Sequence, residues 1–101
     1  MEYRLKRVMA IHDLSGLGRS SLMAVTPVMS VMGIQVCPVP TAILSTQTSG
    51  FQGYTFIDLT TSMSKYLAHW ETLHEQFQGI YSGFLGSAEQ VSIVEKAIEH
   101  F

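Results

Sequence analysis

Three short stretches of this sequence carry side chains able to hold a small ligand, and each follows an apolar run. The first, residues 12–19, reads H-D-L-S-G-L-G-R. Asp13 and Ser15 put a carboxylate and a hydroxyl beside an expected helix N-terminus, where they could meet the hydroxyl and ring nitrogen of a small heterocycle. Either could equally be an N-terminal cap or a turn residue. Gly16-Leu17-Gly18 opens a G-x-G-x-x-G, but Ser21 stands at the third glycine, so the dinucleotide fingerprint is incomplete. Taken alone, Gly16 and Gly18 need do no more than permit a tight strand-to-helix turn. The second stretch, residues 44–54, holds within Ser45–Gly50 four hydroxyls (Ser45, Thr46, Thr48, Ser49) and the Gln47 amide, with no charge. That set suits a neutral polar ring and not a phosphate; a solvated surface loop is the plain alternative. The third, residues 84–87, begins with Phe84. Phe84 and Phe51 lie at strand exits, where either could stack on an aromatic substrate or belong to the core.

Other chemistries find less support. A phosphate-binding G-x-x-x-x-G-K-[ST] is absent, as is a G-x-S-x-G nucleophile elbow. His12, His69, His74 and His100 have no metal-ligand spacing with one another or with Cys37, so each is expected to be structural or exposed. Cys37, the only cysteine, reads as a small apolar group.

The elements that must position these stretches alternate in type. Val8-Met9-Ala10-Ile11 is short and apolar throughout, like a strand covered on both faces. A helix follows from near Ser20, with Leu22, Val25, Met29 and Met32 on one face, Pro27 inside it and Gly33 as its stop. A second strand runs from Gln35 to about Ile43; Pro38 and Pro40 predict an edge or a bulge. Met63, Tyr66, Leu67, Trp70, Leu73 and Phe77 keep helical spacing and predict a helix over 60–77. Residues 79–85 give a third strand and its exit. Ser87-Ala88-Glu89-Gln90 has the form of a capping box, the serine accepting from the amide three residues on and the glutamine reaching back to the serine amide. Val91, Val94, Ala97, Ile98 and Phe101 then line one side of a last helix.

Alternating strands and helices predict an α/β fold with a parallel sheet and right-handed crossovers. In such sheets ligands lie beyond the carboxyl ends of the strands, so 12–19, 44–54 and 84–87 should open on the same edge. The 101 residues fit one domain or part of one. Apolar residues make up 47% and charged ones 14%, well under the roughly 25% of ordinary soluble chains, so much of the surface is expected to be covered. The net charge of −2, with six scattered basic residues, points to neither nucleic acid nor an anionic membrane. Residues 1–7 lack the pattern of a secretory leader, no apolar run is long enough to span a membrane, and one cysteine suits a reduced, cytoplasmic setting. The last helix runs into Phe101 without a stop signal, leaving a sheet edge and a helix layer uncovered. A fragment, or a chain that needs a partner, is expected over a compact small domain.

At the residues already singled out, the chain resembles a known family. A-I-H-D-L-S-G-L-G-R (10–19), P-x-P-T-A-x-L-S-T-x-T-x-G-F (38–51) and above all Y-S-G-F-L-G-S-A-E-Q (81–90) are similar to bacterial pyridoxal/pyridoxine (vitamin B6) kinases of the ribokinase-like superfamily. The resemblance implies a three-layer α-β-α fold with a mostly parallel sheet, of which residues 1–101 are the N-terminal half. It implies phosphorylation of the hydroxymethyl group of pyridoxal, pyridoxine or pyridoxamine in pyridoxal-phosphate salvage, with ATP and Mg2+ as cofactors and a homodimer as the full-length form. It places Asp13 and Ser15 at the vitamin ring and matches Thr48 to the threonine of an N-H-T or N-T motif, with Gln47 in place of His or Asn. Phe84 takes the place of an aromatic that is often tyrosine, and Gly16, Gly18 and Phe51 become candidate substrate-loop residues.

Hydroxymethylpyrimidine kinases of thiamine synthesis share the fold and a first loop similar to D-x-S-G. Asp13, where the B6 kinases carry serine, leans toward them. The family's glycine-rich G-T-G-D motif, which supplies the anion hole and the base, is absent from these residues. The resemblance therefore implies no catalytic residue here, and a chain that transfers no phosphate by itself. A non-catalytic α/β module that self-associates is the alternative from another class.

Overall fold

The computed structural model describes residues 6–18 and 21–101. The reading of residues 1–5, the end of the first stretch at Arg19 and the helix start near Ser20 lie outside them. The order is β1 (Lys6–Leu17), α1 (Leu22–Val31), β2 (Ile34–Thr46), β3 (Phe56–Asp58), α2 (Thr60–Leu73), β4 (Gly79–Ser82) and α3 (Ala88–His100). The sheet runs β3-β2-β1-β4, with β2 and β4 parallel to β1 and β3 antiparallel to β2. It is the expected α/β architecture, in three layers with a mostly parallel sheet.

The central strand corrects the first expectation. β1 does not end at Ile11 but continues through Asp13 and Ser15 to Leu17, paired with β2 from Lys6↔Ile34 to Leu17↔Thr46. Gly16 explains the difference, because a Cβ there would lie 3.0 Å from the Ser45 carbonyl oxygen. That glycine permits close strand pairing and not a turn. The register slips between His12 and Leu14, opposite Pro40 and Ile43, so the bulge expected from the prolines is present. The edge position is not: β2 lies between β3 and β1. β3 covers only Ala42–Leu44, however, so the prolines sit where that flank of β2 has no neighbouring strand. There the Pro38 carbonyl accepts from the Tyr66 hydroxyl at 2.6 Å.

Met9, Ile11 and Val39 on one face of the sheet pack against Met63 and Leu67 of α2 and Ile93, Val94 and Ala97 of α3. Trp70, Phe77, Ile80, Leu85 and Phe101 close the rim of this core. α1 touches β1 and β2 but buries only Leu22; Met32, expected on its inner face, is exposed. α2 stops at Leu73 and not Phe77, because His74 takes a left-handed conformation at φ 54°. The chain then turns back so that Phe77 stacks on Trp70, ring centroids 5.5 Å apart. In α3 the buried set is Gln90, Ile93, Val94 and Ala97, whereas Val91 and Ile98 face out. A buried glutamine fixes that rotation, and apolar spacing alone misplaces it.

Candidate functional site

At the carboxyl end of the sheet a cavity of about 560 Å³ opens between β1, β2, β3 and the starts of α2 and α3. Asp13 and Ser15 line it from β1, Gln47 and Thr48 from the segment after β2, and Phe84 from the segment after β4. All three candidate stretches thus contribute to one cavity on the same edge of the sheet. Gly16, Gly18 and Phe51 are not among its lining residues.

Asp13 sits at the register slip of β1. Its carboxylate accepts from the Ser21 hydroxyl at 2.6 Å and from the Ser15 hydroxyl at 3.5 Å. Neither Asp13 nor Ser15 caps α1. The N-cap is Ser21, at φ 52° and with no side-chain cap bond, because its hydroxyl is on Asp13. A left-handed serine costs of order 1 kcal/mol or more; here that conformation carries the hydroxyl to the carboxylate. Gly18 is a close-approach position as well: at φ 140°, a Cβ would come within 2.6 Å of Gln47 Oε1. The Gln47 backbone N–H donates to the Leu17 carbonyl at 2.8 Å, tying the end of β1 to the polar segment. Ser45 pairs with Thr55 through its backbone amide and its hydroxyl, which ties the base of the hydroxyl-rich stretch, while Thr48, Ser49 and Gly50 beyond it are exposed.

Several lining residues escaped the sequence reading, and two of them anchor a hydrogen-bond network. Asp58, at the end of β3, accepts through Oδ1 from the Thr60 amide (3.1 Å) and hydroxyl (2.6 Å). The hydroxyl bond, then the amide bond, hold its pKa below the usual carboxylate value. Gln90 is the second. Ser87 caps α3 as expected, accepting from the Gln90 amide at 3.2 Å, but the glutamine side chain does not return to Ser87. It accepts from the Gly86 amide (2.9 Å) and donates to the Thr41 carbonyl (3.2 Å) and the Thr60 hydroxyl (3.0 Å). The D-x-T of 58–60, a side-chain cap spacing, was the signal available for Asp58; nothing in the spacing announces Gln90.

His12, on the strand beside Asp13, is buried, its ring edge-on to Tyr81 at 4.7 Å. Its Nε2 has no partner among the described residues, and burial lowers its pKa. His69, His74 and His100 are exposed, and Cys37 is half-buried with its thiol pKa pushed up by burial, which makes it a poor nucleophile. Chemically the cavity can seat a flat polar ring between Phe56, Phe84 and Leu44 and hydrogen-bond its substituents. Among the described residues no cluster of His, Cys, Asp or Glu could hold a metal ion.

No family model and no curated protein matches the chain. Solved structures do. A Bacteroides thetaiotaomicron VPI-5482 protein provisionally assigned as a phosphomethylpyrimidine kinase is 48% identical, with TM-score 0.95 over 100% of this chain and 35% of its own. A second crystal form of a protein of that description, with pyridoxal, gives 50% identity and TM-score 0.92 over 97% of this chain and 34% of its own. Pyridoxal kinase from Lactobacillus plantarum is 31% identical, with TM-score 0.90 over 95% of this chain and 34% of its own. The fold is the one shared by the ribokinase-like kinases, matched over part of its length. Within that class the chain belongs with the pyridoxal and phosphomethylpyrimidine kinases. It spans about a third of the length of the structures it matches. No helix among the described residues is long and apolar enough to cross a membrane.

Proposed function

We propose that these residues form the substrate side of an ATP-dependent kinase acting on the hydroxymethyl group of a B6 vitamer. One observation carries the reading: Asp13, Ser15, Thr48 and Phe84, from three separate strand ends, line one cavity of suitable size. A protein 50% identical crystallised with pyridoxal supports the choice of ligand class. In this reading Phe84 stacks on the ring, Asp13 and Ser15 meet its hydroxyl and nitrogen, and Gln47 and Thr48 bond its polar substituents. ATP, Mg2+ and the base are supplied by polypeptide beyond these residues, and the complete enzyme is a cytoplasmic homodimer. The second reading, hydroxymethylpyrimidine as substrate, is favoured by Asp13 and by the phosphomethylpyrimidine kinase assignment of a protein 48% identical.

Titration of the chain with pyridoxine and with 4-amino-5-hydroxymethyl-2-methylpyrimidine, followed by amide NMR shifts, separates the two. Pyridoxine should bind saturably and shift the Ser15, Thr48 and Gly86 amides, and Thr48→Val should weaken it roughly threefold to tenfold, the value of one hydrogen bond. Tighter binding of the pyrimidine would select the second reading, and absence of both would remove the substrate cavity. With Mg-ATP added, the chain alone should turn over no vitamer; clear turnover would refute the division of labour.

A further inference from the structure

We propose that Asp58 sets substrate specificity in this cavity: its free carboxylate oxygen reads a cationic amine on the bound ring, and Thr60 and Gln90 are the positioning residues that aim it. The proposal rests on the substrate-cavity reading above and adds to it the charge of the preferred ligand.

Hydrogen-bond direction is fixed through the whole relay. Gly86 offers an N–H, which can only donate, and Thr41 a carbonyl, which can only accept. Between them the Gln90 amide has one orientation, oxygen toward Gly86 and nitrogen toward Thr41. Its nitrogen also lies 3.0 Å from Thr60 Oγ1, so that hydroxyl accepts from Gln90 and spends its single proton on Asp58 Oδ1 at 2.6 Å. Gln90 and Thr60 are both buried, at 4% and 6% exposure, so water does not compete for these bonds. Asp58 Oδ1 is therefore saturated by two donors from Thr60, whereas Oδ2 has no partner among the described residues. A carboxylate accepting two donors is held ionised and held still.

The rest of the lining leaves that charge unmatched. Asp13 and Asp58 are both carboxylates; among the described lining residues there is no Lys, Arg or His. Asp13 is partnered by Ser21 and Ser15. A ring that displaces water from Asp58 Oδ2 must bring a donor, and an ammonium replaces the lost hydration best. The same two negative charges disfavour a ligand bearing its own phosphate. The predicted order is aminomethyl-substituted ring over its neutral counterpart, with phosphomonoesters last.

Pyridoxamine and 4-deoxypyridoxine make a matched pair of probes, because they differ only in an ammonium against a hydrogen on the 4-methyl carbon. Affinities are read by NMR titration of the wild-type chain, Asp58→Asn and Thr60→Val. The wild type should bind pyridoxamine about tenfold more tightly, the size of a charge-assisted bond partly screened by water. Asp58→Asn should abolish that preference, bringing the two affinities together. Thr60→Val keeps the carboxylate but removes its positioning, and should cut the preference about threefold. Equal affinities in the wild type, or a preference that survives Asp58→Asn, overturn the role of Asp58. A full preference in Thr60→Val overturns the relay. Failure of either probe to bind the wild type removes the cavity reading itself, an outcome visible before any variant is compared.

Discussion

His12 occupies the strand position next to Asp13, yet its chemistry is opposite in kind. The carboxylate is satisfied and faces the cavity, whereas the imidazole is 6% exposed and keeps an unpartnered Nε2 among the described residues. Gly83 explains how the ring fits: any Cβ there would overlap the imidazole, so only glycine can follow Ser82. Burial outweighs the opposing Asp13 charge and lowers the imidazole pKa below its ordinary 6.5. The sign of the stability effect follows. As pH falls below about 6.5 the unfolded chain takes up the proton first, so stability present at neutral pH is lost down to the folded-state pKa. Thermal melts at about pH 7.5 and about pH 5.5 test this. The wild type should lose more Tm over that interval than His12→Gln, which stays neutral throughout; equal losses would show that the ring is not neutral in the fold.

Elements were legible in proportion to how much their sequences relied on apolar periodicity. α2, with Met63, Leu67 and Trp70 on its inner face, and the capped start of α3 follow directly from spacing and cap chemistry. β1 beyond Ile11 does not, because a polar, glycine-bearing strand looks like a loop until β2 is seen to pair with it through Thr46. β3 has only three residues, too few for a period, and exists because Ala42–Leu44 offer it a partner. Of the cavity, the half read from polar loops was visible, whereas Gln90 and Asp58 depend on contacts between residues 30 to 49 positions apart or on a short hairpin. The end of α2 was also missed, since His74 is neither the glycine nor the asparagine that usually marks a left-handed helix end. That departure yields a prediction. His74→Gly relieves a conformation costing roughly 1 kcal/mol and should raise Tm by about 4–8 °C. His74→Ala relieves nothing and should leave Tm level or lower; a gain in both variants would place the effect in the side chain and not in the backbone.

Across the whole molecule, one side of the sheet is well covered and the rest is not. Among the described residues β4 pairs only with β1, and its outer edge carries Tyr81 at 46% exposure. α1 leaves Val31 at 89% and Met32 at 68%, and Phe84 at the cavity mouth stands at 85%. Parallel sheets are ordinarily covered on both faces, and an open edge strand is a template for further pairing. With charged residues at 14% of the chain, little keeps two such surfaces apart. The chain should therefore self-associate at tens of micromolar (roughly the range in which weak contacts become populated), and light scattering should give a mass that climbs above 11.2 kDa with concentration. Two variants assign the contact. Ser82→Lys sets a charge on the β4 edge, and Val31→Lys sets one on the bare face of α1; both sites are exposed, so the fold should tolerate each within about 0.5 kcal/mol. Edge pairing predicts that Ser82→Lys alone restores the monomer, because strand addition needs that one row of backbone groups free. Association through apolar cover predicts that Val31→Lys does so. A wild-type particle holding 11.2 kDa across the concentration range would mean that the open surfaces are tolerated in water as they stand.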